Sequence, residues 1–180
     1  GLSNDENLEI LNKLDDFLNK NIFTISSDDI NMIISEYNIV EKYNVRKIYP
    51  SKLKINIKPT KFVAKISSNN EVLVGSNGKL IRAETSIKNL PFIFGEFNST
   101  NFLEFKKKIE LSKFSFTDFR SIFFYPSNRL DIITKKDVLI MLPKNDLLEA
   151  VNFAHKIINS KEFKNNRIID LRISNRLIIK

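Results

Sequence analysis

Few side chains in this sequence of 180 residues are of types that carry out covalent chemistry. It contains one His, His155, and no Cys. The lack of Cys excludes thiolate nucleophiles, iron–sulfur ligation, disulfides and the usual structural zinc sites. A hydrolytic triad would need a Ser and a carboxylate converging on His155, yet the Gly-x-Ser-x-Gly turn that presents such a Ser does not occur. We therefore predict a protein that is not an enzyme and uses no metal or cofactor.

One glycine-rich segment has the spacing of a phosphate-binding loop. Gly75-Ser76-Asn77-Gly78, followed by Lys79, matches the two-glycine loop with which KH domains hold an RNA backbone. A KH loop joins two helices, whereas β-branched and apolar residues flank this one on both sides. The spacing of a P-loop is also absent. The segment therefore predicts the turn of a β-hairpin.

The charge balance is basic, with 29 Lys and Arg against 21 Asp and Glu and a net charge of +8. Such a balance is typical of proteins with anionic partners. However, 22 of the 29 are Lys, whereas surfaces that recognise bases favour the planar guanidinium of Arg. The densest clusters, Lys106–Lys108 and Lys135-Lys136, are explained by solvated faces beside a Phe-rich core.

Two amphipathic helices are predicted before residue 38. Apolar residues recur at helical spacing in each, first Ile10, Leu11, Leu14, Phe17 and Leu18, and then Ile30, Ile33, Ile34 and Tyr37. Ser or Asn followed by two acidic residues precedes each run. This combination caps the first amides of a helix and complements its dipole.

From Val40 the apolar period changes to two. Residues 52–58 alternate Lys or Asn with Leu or Ile, which predicts a half-buried strand with a cationic outer face. Tyr49-Pro50-Ser51 supplies the turn that joins this strand to the one before it. Pro59 marks a domain boundary.

The rest of the chain is predicted to be rich in strands. They are expected near residues 62–66, 71–74, 79–82, 121–125, 129–134, 138–142, 167–172 and 176–179. Helices are expected over residues 100–111 and from Asn145 or Asp146 to Ile158. Residues 90–95, with Pro91 and Gly95, are predicted to form a bridge rich in turns. The predicted fold class is α+β: a small helix-helix-strand-strand domain over 1–59, then a larger, mainly antiparallel β domain with flanking helices over 60–180.

The order of motifs resembles the bacterial cell-division family FtsQ, also called DivIB. Val45–Ile57 follows the family pattern V-x-K/R-x-Y/W-P-x-x-L-x-I-x-I of its POTRA domain. Further matches in the family's order are Gly75–Ile81, Leu90–Gly95, Ser127–Ile132 and the D-L-R strand at Ile169–Arg172. The match extends over nearly the whole chain, which is more specific than any one motif.

The resemblance implies a POTRA-type domain in residues 1–59 and an FtsQ-type β domain in residues 60–180. It implies a non-enzymatic scaffold of the division septum, part of a single-pass protein of the inner membrane. The first POTRA strand and the membrane span are then expected upstream of Gly1, and this fragment is expected in the periplasm. The implied partners are FtsB and FtsL, with other divisome proteins at the POTRA domain.

The predicted partner site is the C-terminal sheet edge. An unpaired strand edge offers backbone amides and carbonyls to which a partner strand can add. The predicted residues are Arg172, Ile173, Asn175, Arg176, Leu177, Ile178 and Ile179, with Arg129 as a charged contact that the resemblance implies.

Two alternatives from other classes stay open. A POTRA-bearing factor of outer-membrane protein assembly would be expected to show repeats or a C-terminal barrel, and the sequence shows neither. A basic nucleic-acid-binding module would bind with a steep dependence on salt.

Overall fold

The computed structural model of this chain describes residues 4–83, 87, 89–160, 167–173 and 177–179. The chain divides into two compact units. The first comprises Gly1–Lys61 and Gly75–Ile81, and the second comprises Phe62–Val74 and Arg82–Lys180. The predicted domain boundary at Pro59, with a POTRA-type domain before it, stays a prediction.

The first unit begins with two helices and continues with a β-hairpin. Its elements are α1 (Asn4–Leu14), α2 (Ser27–Ser35), β1 (Val40–Ile48) and β2 (Lys52–Pro59). A capping box starts α2: Ser26 Oγ accepts from the Asp29 amide at 3.1 Å, and Asp29 Oδ2 accepts from the Ser26 amide at 2.9 Å. These bonds satisfy amides that the helix itself cannot pair.

The helices of this unit cover one face of the antiparallel β1–β2 hairpin. Buried Ile10, Ile30 and Ile34 lie in a cluster against which Tyr43, Val45, Leu53, Ile55 and Ile57 pack. Side chains alternate between the two faces of a strand. The other residues of the hairpin therefore form an outer face, and the predicted alternation from 52 to 58 is confirmed.

The second unit contains most of the remaining strands and both remaining helices. The strands are β3 (Phe62–Ile66), β4 (Asn69–Gly75), β5 (Leu80–Arg82), β6 (Phe92–Gly95), β7 (Phe119–Phe124), β8 (Leu130–Thr134), β9 (Leu139–Leu142), β10 (Ile168–Asp170) and β11 (Ile178–Ile179). The helices are α3 (Ser99–Leu111) and α4 (Leu147–Ile158). The end of β4 and most of β5 belong to the first unit.

These strands form one nine-stranded sheet in the order β11-β10-β9-β8-β7-β6-β3-β4-β5. The β7–β8, β8–β9 and β10–β11 pairs are antiparallel, while β6 runs parallel to both β3 and β7, and β10 parallel to β9. The α+β class with a larger, mostly antiparallel β domain is confirmed. The predicted turn-rich bridge at 90–95 is wrong, because Phe92–Gly95 is the strand that joins β3 to β7.

One row of isoleucines crosses the sheet on the side of the helices. Its members are in register from strand to strand and almost fully buried: Ile93, Ile122, Ile132, Ile140 and Ile169. Phe102 and Phe105 of α3 and Val151 and Ala154 of α4 lie in the same buried cluster. The row therefore fixes which side chains of β6 to β10 face the core and which face away from it.

The segment Gly75–Gly78 forms the predicted hairpin turn. The Gly75 amide donates to the Lys79 carbonyl and the Gly78 amide donates to the Gly75 carbonyl, both at 2.9 Å. Gly78 has a φ of 74°, a conformation that L-residues rarely adopt. The turn joins two strands, so the geometry of a KH loop is not present.

Candidate functional site

Among the described residues, β11 is the outermost strand at one edge of the larger sheet. Ile178 lies opposite Asp170 and Ile179 lies opposite Ile169 in the antiparallel β10–β11 pair. On its other side β10 pairs with β9. An outermost strand has backbone amides and carbonyls without a neighbouring strand.

The predicted partner-binding residues near this edge are partly exposed. Leu177 and Ile179 are each 38% exposed and Ile173 is 56% exposed. Apolar side chains at this exposure gain free energy when a partner removes them from water. Asn175 and Arg176, which were also predicted, lie outside the described residues.

A second row of residues crosses the sheet on the face away from the helices. Met141 of β9 lies opposite Asp131 of β8 on one side and opposite Asp170 of β10 on the other. Residues in register on neighbouring strands point to the same face. Two carboxylates therefore share this face beside the C-terminal edge.

Arg172 and Asp170 form a tight ion pair with each other. Arg172 Nε donates to Asp170 Oδ1 at 2.9 Å, and its terminal nitrogen donates to Oδ2 at 2.6 Å. The Arg172 amide also donates to Oδ1, at 3.1 Å. The side-chain hydrogen bonds from Arg172 lower the pKa of Asp170 despite its partial burial. The pair holds Arg172 against the end of β10.

Asp131 is a buried carboxylate with an incomplete set of partners. Arg129 donates to its Oδ2 at 3.3 Å, while Oδ1 of Asp131 and Nε of Arg129 are buried without a hydrogen-bond partner. Burial raises the pKa of Asp131, and the charge of Arg129 and a hydrogen bond with the Tyr125 side chain oppose that rise. The Arg129 guanidinium also lies over the Tyr125 ring, 3.9 Å from its centroid.

The two ion pairs act on each other electrostatically. The charge of Arg172 contributes a lowering of the pKa of Asp131, and that of Arg129 contributes a lowering of the pKa of Asp170. Of the predicted site residues, the structure therefore brings Arg129 and Arg172 to one charged cluster. Ile178 lies next to it, opposite Asp170.

Sequence reasoning missed the carboxylates of this cluster. Asp131 sits in the apolar run Leu130-Asp131-Ile132-Ile133, and an acidic residue within an apolar strand is a signal for a buried ion pair. Met141 and Tyr125 carry no comparable signal, since their places depend on strand register.

Packing and local pairing within the fold account for the other candidates from the sequence. The His155 ring packs edge-on against Phe114, with centroids 5.0 Å apart, and lies beside the Asn159 side chain. Lys106 pairs with Glu110 at 2.8 Å along α3. Within the described residues, no three His, Asp or Glu side chains converge on a point where they would hold a metal ion.

Fold and site together define an α+β protein whose helix-covered sheet has, among its described strands, an edge strand beside a cluster of paired charges. The family model described as cell division protein FtsQ/DivIB, C-terminal, matches residues 63–172, more than half of the chain. The chain belongs to the FtsQ/DivIB family. This is a family of membrane-anchored division proteins with a non-enzymatic scaffold role.

A comparison with curated proteins found no match. In the described part of the chain, no helix is both long and apolar enough to cross a membrane.

Proposed function

We propose that this chain is a divisome scaffold whose C-terminal sheet edge recruits FtsB and FtsL. The observation that carries the proposal is the position of β11 (Ile178–Ile179), the outermost of the described strands at one edge of the larger sheet. Within the family, residues 1–59 would serve as the POTRA domain and residues 60–180 as the β domain. The parent protein would be a single-pass protein of the inner membrane, with this part in the periplasm.

Backbone pairing would supply much of the affinity at this edge. A partner strand that adds to β11 satisfies main-chain groups that otherwise face water, and its side chains then meet the apolar groups beside them. Ile173, Leu177 and Ile179 are the exposed apolar residues there. Side-chain contacts from the partner to these apolar residues would add to the pairing with β11.

The charged cluster would select the partner. Arg172 is held by Asp170, and Arg129 by Asp131 and Tyr125. Their side chains remain partly exposed, Arg172 at 42% and Arg129 at 35%. Charges at the rim of an interface increase the association rate more than the final affinity. Acidic residues on FtsB or FtsL would therefore speed docking.

Proline substitutions test the edge directly. Successive amides of a strand point to opposite sides, so of Ile178→Pro and Ile179→Pro one removes an amide facing the partner and the other an amide facing β10. We expect the variant that loses the partner-facing amide to abolish FtsB binding, while the larger unit of the chain stays folded. Ile178→Val, which keeps the backbone amide, is the matched control and should bind within about threefold of the parent.

Calorimetry measures FtsB binding, and circular dichroism of the same samples measures folding. If both proline variants stay folded and bind FtsB as tightly as the parent, the edge is not the docking site.

A further inference from the structure

The outer face of the β1–β2 hairpin is a dense cationic surface. Its exposed cations are Lys42, Arg46, Lys52, Lys54 and Lys58. Two pairs of them lie directly opposite each other across the strands, Lys42 with Lys58 and Arg46 with Lys54. We call these five residues the cationic face.

Cross-strand pairs of like charge are unfavourable for the hairpin itself. Like charges directly opposite on neighbouring strands destabilise a sheet, whereas opposite charges at the same positions stabilise it. In the described part of the chain, none of the five cationic side chains forms an ion pair or hydrogen bond. The arrangement is therefore poor for stability and suited to an external anion.

Charge is segregated within the first unit. Residues 4–37, which contain both helices, have eight acidic and two basic side chains, while residues 40–59 have one acidic and six basic ones. The helices pack on one face of the hairpin and the cationic face lies on the other. A segregated unit of this kind orients in the field of an extended anionic surface.

An exposed apolar patch lies at the turn end of the same hairpin. Phe23 and Tyr49 stack on each other, with ring centroids 4.9 Å apart, although they are 70% and 59% exposed. Ile48 is 40% exposed, and Leu18, which is 76% exposed, lines a cavity together with Pro50 and Ser51 of the hairpin turn. We call Leu18, Phe23, Ile48 and Tyr49 the apolar tip.

The backbone holds the apolar tip in place. The Phe23 amide donates to Asn21 Oδ1 at 3.0 Å, and the Thr24 amide and hydroxyl donate to the Asn21 carbonyl at 2.9 and 2.8 Å. From the other side, Lys47 Nζ donates to the Ile25 carbonyl at 2.5 Å. The aromatic pair is thus presented to solvent on a turn that is itself hydrogen-bonded.

From these two features we propose that the first unit docks on the surface of an anionic phospholipid bilayer, with the cationic face against the headgroups and the apolar tip inserted between them. Lys and Arg attract anionic headgroups, and amphipathic aromatic rings favour the membrane interface. The apolar tip adjoins the cationic face, because Ile48 of the tip lies on the outer face of the hairpin, opposite Lys52. This adjacency supports the assignment.

A single-stranded nucleic acid is the other extended anion to consider. It stacks its bases on free aromatic faces and is bound by planar Arg groups. Here the two rings stack on each other, four of the five cations are Lys, and the aliphatic Leu18 and Ile48 complete the tip. Aliphatic side chains gain from insertion among acyl chains and offer little to a base, so the bilayer is favoured.

The first test measures sedimentation of the full 180-residue chain with vesicles. At low salt it should bind vesicles of one part phosphatidylglycerol to two parts phosphatidylcholine, and should not bind pure phosphatidylcholine. The triple variant Lys42→Gln, Lys54→Gln, Lys58→Gln should lose roughly 100-fold in partitioning. Its melting temperature should not fall below that of the parent, because like-charge pairs are removed.

The matched control is Lys107→Gln, Lys108→Gln, Lys135→Gln, which removes the same charge from exposed lysines of the second unit. This control should keep most of the vesicle binding. Equal losses in both triple variants, or no binding of the parent to the anionic vesicles, would overturn the proposal.

The second test reports on insertion of the apolar tip. The chain has no Trp, so Phe23→Trp introduces a single probe whose emission should shift to the blue on anionic vesicles. Phe153→Trp, at a position 46% exposed in α4, should not shift. An unshifted Phe23→Trp probe on bound protein, or tighter binding to a single-stranded oligonucleotide than to vesicles at equal salt, would also contradict docking on the bilayer.

Discussion

Asp131 and Asp170 lie on the same face of the sheet, separated by one strand, because both are in register with Met141. Each is paired with an Arg two residues away in sequence, Arg129 before Asp131 and Arg172 after Asp170. The two pairs differ in solvation. Burial raises the pKa of Asp131, whereas hydrogen bonds from Arg172 lower the pKa of Asp170. The site therefore holds one carboxylate whose charge is disfavoured by burial and one whose charge is stabilised by hydrogen bonds.

The raised pKa of Asp131 predicts a specific pH dependence. Between the ordinary pKa of an Asp, 3.8, and the raised folded-state value, the folded chain binds more protons than the unfolded chain. The contribution of Asp131 to stability therefore falls as pH rises through that window. The Asp131→Asn variant lacks this contribution. The free energy of unfolding of the variant minus that of the parent should therefore increase between about pH 3.5 and pH 7, where an Asp with a raised pKa titrates.

Urea unfolding of both proteins across this range measures the effect. The opposite dependence from Asp170 is present in both proteins, and only the part that depends on the interaction between the two carboxylates remains in the difference. A difference that stays constant or decreases with pH would contradict the buried-charge account.

Removing Arg129 should leave the Asp131 charge without its nearest counter-ion. We expect Arg129→Ala to lower the free energy of unfolding at neutral pH by about 1–3 kcal/mol, since a buried charged acceptor loses its donor. In an Asp131→Asn background the same substitution should cost less than about 1 kcal/mol. Chemical denaturation of the four proteins of this double-mutant cycle gives the coupling, and equal costs in both backgrounds would show that the pair is not coupled.

Sequence patterns predicted most elements where one periodicity dominates. The alternation from Lys52 to Lys58 and the helical spacing of Phe102, Phe105 and Ile109 each reflect one face packed on a core. Strand β6 was not predicted because it has only four residues, begins directly after Pro91 and ends at Gly95, and Pro and Gly are typical of turns. What makes it a strand is pairing with β3 and β7, which are distant in sequence. The local sequence pattern does not show which distant strands will pair.

The candidate site was predictable only in part. A strand over residues 176–179 was predicted, and the structure has a strand at Ile178–Ile179 that is outermost among the described strands at that edge. The juxtaposition of Asp131 with Asp170 depends on the register of three strands, one of which pairs in parallel after a helical connection. One residue of slip would place these side chains on the opposite face.

Gly95 should tolerate no side chain. It has a φ of 90°, and a Cβ built there would lie 2.0 Å from the backbone carbonyl oxygen of Phe124 on β7. Gly95→Ala should therefore lower the free energy of unfolding by more than about 2 kcal/mol, from strain and steric overlap together. Thermal unfolding measures it. Gly78→Ala, at a φ of 74°, tests left-handed strain separately and should cost about 1 kcal/mol; a smaller cost at Gly95 than at Gly78 would contradict the β6–β7 geometry.

Phe105 should be among the most sensitive core positions. It is 1% exposed and its ring contacts those of Phe116, Phe119 and Phe124. Phe105→Ala should lower the free energy of unfolding by about 3–5 kcal/mol through lost burial and a residual cavity. Leu103→Ala on the same helix, at a position 39% exposed, should cost about 1 kcal/mol or less. Denaturant titration compares them, and similar losses would argue against the packing of α3 on the sheet.

Strands β10 and β11 follow all other strands of the sheet in sequence, and this sets an order during synthesis. Strands β3 to β9 leave the ribosome first, and until β10 follows, the apolar strand Leu139–Leu142 is itself the open edge of the sheet. Unfinished sheets with open apolar edges are prone to aggregation. A nascent or truncated chain ending before Ile168 would thus expose the aggregation-prone edge of β9 instead of the docking strand proposed above. Recruitment through this edge would then report that translation of the sheet is complete.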